Sequence, residues 1–342
     1  MNQNLRQKLD LLRRGDSKSA RRARQSIKIL LLVALFIGLF WFIDFRAVMR
    51  VLSQAGTVLV LTGLALIFPA EFLNAIQLRI LAKRQNINHS VWQLFVINLS
   101  IKFYLLFLPG AIVGSGIRWY KLSHPGGKHA EALATVAFNR LFETFLVVVL
   151  GLGFWFISGQ KTGQFDVFIL VALFIFILLA WILITRISTP ISKLVDANSF
   201  RWQDKALLKR VMDWMNKLLV ATSAYAGIPT GELAALLFVG ISHYLILLIG
   251  SQLLARSVAI DLTFADMGWI QSIVMLFALI PFTFAGGLGV REVGLVFMLS
   301  SFGVQPETAI AFSLLLFARQ LLLGIAGGIS EGVRTIRVQR SQ

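Results

Sequence analysis

Apolar residues in this chain come in long runs separated by short polar or basic stretches, and run length is the first structural signal. Runs near 20 residues are what a bilayer core demands of a helix. They occur at about 27–43, 56–78, 130–157, 167–185, 231–254 and 308–332, and each predicts a membrane-crossing helix. Two further stretches, 91–120 and 270–302, are equally apolar but broken. The first carries Pro109, Gly110, Gly114 and Gly116, and the second Pro281, Gly286, Gly287 and Gly289. The run at 27–43 has a long basic preface and no small-residue cleavage pattern after it, so it is read as a retained span and not as a signal peptide.

Charge between the runs sets the expected topology, because short basic loops stay cytoplasmic. Arg13, Arg14, Arg21, Arg22, Arg24 and Lys28 place the N-terminus inside, and Arg334, Arg337 and Arg340 do the same for the C-terminus. Both flanks of 91–120 are basic, with Arg79, Lys83 and Arg84 before it and Lys121 and Lys128 after. A re-entrant hairpin satisfies that; a single crossing does not. The stretch 270–302 is flanked by Asp261, Asp266 and Glu307, as expected for a hairpin entered from outside. The fold class is therefore an all-α integral membrane protein with six full crossings and two re-entrant hairpins. Its organisation is a basic cytoplasmic segment 1–26, a single transmembrane domain 27–335 and a basic tail 336–342. A basic cytoplasmic loop at 186–230 contains an expected interfacial amphipathic helix at about 204–219.

Span, hairpin and span recur at 56–157 and 231–332, entering from opposite sides. Inverted repeats with Gly/Pro-interrupted segments are a design of secondary transporters. Gly116-Ile117-Arg118 matches Gly289-Val290-Arg291, a proline lies upstream in each case, and the spans that follow carry Arg140 and Arg319. Irregular backbone at membrane depth is tolerable only against protein or a wet cavity. Helix-end N–H groups at such tips favour anions, so Arg118 and Arg291 beside them suggest seats for an anionic headgroup. The competing reading is that the glycines only allow close helix packing.

Composition narrows the picture. Of 342 residues, 57% are hydrophobic and 14% charged, where a soluble domain carries about a quarter charged residues. The absence of cysteine excludes disulfides and thiolate metal sites. The net charge of +17 lies at the termini and between apolar runs, which points to topology and lipid headgroups instead of nucleic acid. No His/Asp/Glu cluster has metal-ligand spacing, and no P-loop is present, so no cofactor is expected.

Ionisable side chains inside spans are costly and face partners or a cavity. Arg140 and Glu143 sit three apart on one helix face. Glu292 is expected to pair with Arg319, leaving Arg291 for a headgroup. Glu71, Asn74 and Gln77 form a polar stripe that either lines a path or satisfies neighbouring helices. Lys102 either snorkels or attracts an anionic lipid. His243 is read as a satisfied structural histidine.

The stretch Pro281-Phe-Thr-Phe-Ala-Gly-Gly-Leu-Gly-Val-Arg-Glu292 resembles the Pro-Gly-Gly-Leu-Gly-Val-x-Glu signature of the flippase-like transmembrane region of lysylphosphatidylglycerol synthases. The following Phe302-Gly-Val-Gln-Pro-Glu307, the Arg319 span, Leu108-Pro-Gly110 with Arg118, and Asn139-Arg140-Leu-Phe-Glu143 are also similar. The resemblance spans roughly 25–335. Ala285 stands where the family usually has proline, Ser115 where an acid is frequent, and Asn139 where its helix motif has an acid. The family's larger members add a soluble aminoacyl-transferase domain; a chain ending at Gln342 is expected to lack it. The resemblance implies lipid translocation, with Arg118, Arg140, Glu143, Arg291, Glu292 and Arg319 as candidate substrate residues.

The expected function is a flippase for an anionic or amphipathic lipid in a bacterial inner membrane, and not an enzyme. The alternatives are a non-transporting partner of an envelope-synthesis complex and a membrane-embedded transferase acting on a lipid-linked donor. The expected partners are membrane lipids, with a homo-oligomer or an envelope-biosynthesis partner as further candidates.

Overall fold

The computed structural model describes residues 45–108, 111–124, 126–158, 171, 175, 217–225, 227–277 and 290–340. The expected spans 27–43 and 167–185 lie outside or almost outside these residues. So do most of the interfacial helix 204–219 and the tip residues Pro109, Gly110, Pro281, Gly286, Gly287 and Gly289. Every element among the described residues is helical. In order they are α1 Phe45–Ser53, α2 Thr57–Ala65, α3 Ile67–Arg84, α4 Val91–Phe107, α5 Ala111–Ser123, α6 His129–Ser158, α7 Thr230–Ser257, α8 Phe264–Phe277, α9 Val290–Ser300 and α10 Pro306–Arg340.

Four of the six predicted crossings are present as helices long and apolar enough to span a membrane: Thr57–Arg84, His129–Ser158, Thr230–Ser257 and Pro306–Val333. This is a multi-pass membrane protein. The first of these spans is two helices, α2 and α3, joined at Leu66. Pro69 has no N–H to give to the Ala65 carbonyl, which accounts for the break. The predicted broken stretch 91–120 forms two helices, α4 and α5, that fold back on each other. A Cβ built on Gly114 would meet Leu105 at 3.1 Å.

Two units share one local plan. After α3, the chain turns with Gln85 N–H to Ala82 O, Asn86 N–H to Lys83 O and Ile87 N–H to Ala82 O. After α7, Val258, Ala259 and Ile260 make the same three bonds to Ala255, Arg256 and Ala255. Asn86 and Ala259 both take a left-handed backbone, with φ of 54° and 60°. The next helix is then capped alike. Ser90 Oγ accepts from Gln93 N–H and Thr263 Oγ1 from Asp266 N–H, each satisfying an otherwise orphaned helix-start donor. These equivalent positions lie 173 residues apart, as do Arg118 and Arg291. His243 and Ala70 share that spacing and touch: His243 Nδ1 lies 2.7 Å from Ala70 O.

The units exchange contacts. α4 of the first packs on α10 of the second, and α8 of the second packs on α6 of the first, while α3 lies against α7. Small residues allow the close approach that drives helix association where water cannot. A Cβ on Gly63 of α2 would fall 2.9 Å from Gly250 O of α7. A Cβ on Gly327 of α10 would overlap the Leu99 carbonyl of α4. Close packing, one of the two roles weighed for glycine in the sequence, is thus observed at Gly63, Gly114 and Gly327.

Candidate functional site

A cavity of about 360 Å³ lies between the two units, lined from α3 through α10. Its polar wall comes mainly from the first unit: Glu71 and Asn74 of α3, Lys102 of α4, Arg118 of α5, and Arg140 and Glu143 of α6. The second unit contributes His243, Tyr244, Gln271, Arg291, Arg319 and Gln320, together with an apolar face that includes Leu247, Val274 and Leu316. At 1.5 Å rise per residue, Glu71 and Glu143 sit roughly 20–22 Å from both ends of the spans Thr57–Arg84 and His129–Ser158, and Lys102 is bonded to Glu71 at the same depth. That is near the middle of a hydrocarbon layer about 30 Å thick.

The candidate residues named from sequence converge here: Arg118, Arg140, Glu143, Arg291 and Arg319 line the cavity, and Glu292 is bound to Arg291. Their pairing differs from expectation. Glu292 Oε1 accepts from Arg291 NH2 at 2.7 Å and from Ser313 Oγ at 2.8 Å. Arg319 NH1 instead donates to Ser251 Oγ at 3.1 Å and Leu247 O at 3.3 Å. The expected Glu292–Arg319 pair is therefore replaced by Arg291–Glu292. The same Arg291 guanidinium also donates to Ser313 O at 3.4 Å, so both members of the pair are tied to α10 through Ser313.

Arg118, the counterpart of Arg291, is treated differently. Trp119 stands where the second unit has Glu292. Arg118 is half-buried, faces the cavity, and makes no hydrogen bond or ion pair with a described residue. Arg140 lies 3.7 Å from Glu143 with its side chain 45% exposed, so it is less enclosed than a mid-span arginine suggests.

Lys102 neither snorkels nor waits for a lipid: its Nζ is 2.8 Å from Glu71 Oε1. The Glu71, Asn74 and Gln77 stripe does both things weighed for it, lining the cavity and bonding to neighbouring helices. Sequence reasoning missed Asn98, whose buried amide bonds Asn74 at 2.9 Å. An amide in an otherwise apolar helix was the available signal. It also missed Ser251 and Ser313 as arginine and carboxylate partners. Five lysine and arginine side chains (102, 118, 140, 291 and 319) face three carboxylates (71, 143 and 292), so two positive charges are uncompensated among the described residues.

Residues 217–225 pack against α3 and α6 through Tyr225. Tyr225 stacks on Phe138 with ring centres 4.3 Å apart, and its hydroxyl meets Thr135 Oγ1 at 2.9 Å and Leu81 O at 3.3 Å. Burial pushes its phenol above the usual tyrosine range. Arg84 binds the same segment through Ala224 O, Gly227 O and Glu232.

The family model described as the lysylphosphatidylglycerol synthase TM region matches residues 26–328. The chain belongs to this family. No curated protein and no solved structure matches it. Membership of the lysylphosphatidylglycerol synthase TM region family suggests a membrane lipid-related function. The match runs from before the first apolar run to within α10, so the cavity lies wholly within the family region. Among the described residues, no group of three or more His, Cys, Asp or Glu is placed to hold a metal ion.

Proposed function

We propose that this chain is a lipid translocator that moves an anionic or amphipathic lipid between leaflets. The headgroup would pass through the central cavity while the acyl chains stay in the bilayer. The observation that carries the reading is the mid-span cavity with two uncompensated positive charges, one of its arginines making no hydrogen bond or ion pair with a described residue. Excess positive charge at membrane depth is costly, so such a site favours an incoming anion. The apolar face of the second unit suits the glycerol and upper acyl region beside it.

The exchanged packing of the units supports reading them as an inverted repeat, with hairpins entering from opposite faces of a bacterial inner membrane and both termini cytoplasmic. Gly116→Cys and Gly289→Cys, in a chain with no native cysteine, should then label with an impermeant maleimide from opposite sides of oriented vesicles. Labelling from one side would end the inverted arrangement. In this reading the protein is not an enzyme, needs no cofactor and acts on lipids instead of nucleic acid.

The direct test is reconstitution of the purified chain into vesicles carrying a trace of fluorescent phosphatidylglycerol or fluorescent phosphatidylcholine. A membrane-impermeant quencher then reports how much label reaches the outer leaflet. Protein-dependent exposure of the inner label, faster for the anionic lipid, is the expected result. Protection equal to that of protein-free vesicles would refute translocation by the chain alone.

A further inference from the structure

Four buried amides around Glu143 all point their donors the same way. Asn98 Nδ2 donates to Asn74 Oδ1 at 2.9 Å, and Asn74 Nδ2 donates to Glu143 Oε1 at 2.6 Å. From the other side, Gln77 Nε2 donates to Asn139 Oδ1 at 3.0 Å, and Asn139 Nδ2 donates to the same Glu143 Oε1 at 2.8 Å. The four amide residues are 0–6% exposed and come from α3, α4 and α6. An ionised carboxylate can only accept hydrogen bonds. It therefore fixes both inner amides with N–H toward it and oxygen away, and those oxygens oblige the outer amides to donate in turn. One branch ends at Asn98 Oδ1, buried and without a described partner. A buried acceptor is left unsatisfied while the donors are directed toward one carboxylate.

We propose that Asn74, Gln77, Asn98 and Asn139 form a one-directional amide relay that holds Glu143 ionised and fixed in place at mid-membrane. This makes the four amides positioning residues for the cavity's arginines. Glu143 Oε1 is committed to the relay, and Oε2 faces Arg140 at 3.7 Å. The charges that act on Glu143 are Arg118 from α5, Arg140 from its own helix and His243 from α7. Glu71 and Lys102 form their own ion pair in the same cavity, and Arg291 and Arg319 line its far side. A carboxylate that took a proton would release Arg140 and alter the cavity's charge excess. Hydrogen bonds donated to the charged form oppose that change, and a chain of oriented dipoles strengthens each of them. The relay thus keeps the cavity's charge constant across the pH range in which the protein works. This inference concerns the state of Glu143 and holds whether or not the cavity carries a lipid.

The test is infrared spectroscopy of the full chain in detergent, with Glu143→Gln subtracted to isolate this carboxyl. His243→Gln is the common background, since histidine is the other side-chain type that changes charge in this range. Without the variant, Glu143 should give no protonated-carboxyl band from pH 8 to pH 5. Asn74→Leu, of similar volume, should give one within that window, with a midpoint at least about one pH unit higher. Gln77→Met touches only the outer relay and should move the midpoint the same way by less. It also stands in if Asn74→Leu does not fold. A Glu143 that is already protonated at pH 7, or a midpoint unmoved in the folded variants, would overturn the relay. Loss of lipid movement in vesicles with an intact pH response would instead count against the translocator reading alone.

Discussion

Arg118→Gln is expected to lower protein-dependent movement of fluorescent phosphatidylglycerol by about tenfold or more and to leave thermal unfolding in detergent unchanged. The size follows from the bond lost. A charge-assisted hydrogen bond to a phosphate is worth about 1.5–3 kcal/mol, and about 1.4 kcal/mol is a factor of ten in affinity. The unchanged stability follows from the free state: Arg118 makes no hydrogen bond or ion pair with a described residue, so its removal breaks no bond, and only its through-space attraction to Glu71 and Glu143 is lost. Arg118→Lys should fall between the two, because a point charge replaces a planar fork that can grip two oxygens. Wild-type rates in Arg118→Gln would move the headgroup seat away from α5. Loss of stability would show that the arginine is structural after all.

Its counterpart should behave in the opposite way. Arg291→Met is expected to destabilise the protein by about 3–5 kcal/mol, the usual cost of breaking a buried ion pair by removing one partner. The side chains of Arg291 and Glu292 are 8% and 9% exposed. Glu292 would lose its charged donor while keeping the hydrogen bond from Ser313 Oγ. Adding Glu292→Gln should restore most of the loss, because the buried carboxylate that lost its cation is neutralised with it. Thermal unfolding of the two single variants and the double variant gives the coupling directly. Independent, additive effects would mean that the two residues do not form the pair. This replaces the sequence-based expectation that Glu292 pairs with Arg319.

The contrast between the two arginines bears on mechanism. Sequence treated the hairpin arginines as a symmetric pair of headgroup seats. The second unit neutralises its arginine with the next residue along α9, while the first leaves its arginine facing the cavity and places Trp119 at the matching position. In the proposed translocator, such a difference would keep the paired scaffold and concentrate headgroup recognition in one half.

Much of this protein was readable in its sequence. Bilayer thickness imposes run length, so spans 56–78, 130–157, 231–254 and 308–332 were legible, and α4 and α5 fold back on each other where Pro109 and Gly110 interrupt the apolar stretch. The cost of a charge in hydrocarbon made Arg118, Arg140, Glu143, Arg291 and Arg319 stand out, and all five reach one cavity. The repeated turns around Asn86 and Ala259 were missed because their likeness lies in hydrogen bonds and φ angles and not in residue identity. Partners were decided only by tertiary structure. Glu292 could reach Arg291 or Arg319, and Lys102 could meet lipid or Glu71. The choice depends on which helix faces cross and how closely, which is set by contacts such as Gly63 on Gly250 and Gly327 on Leu99. A sequence fixes what a side chain can bond, but in a bundle whose helices are apolar on every side, periodicity does not say which face meets which neighbour.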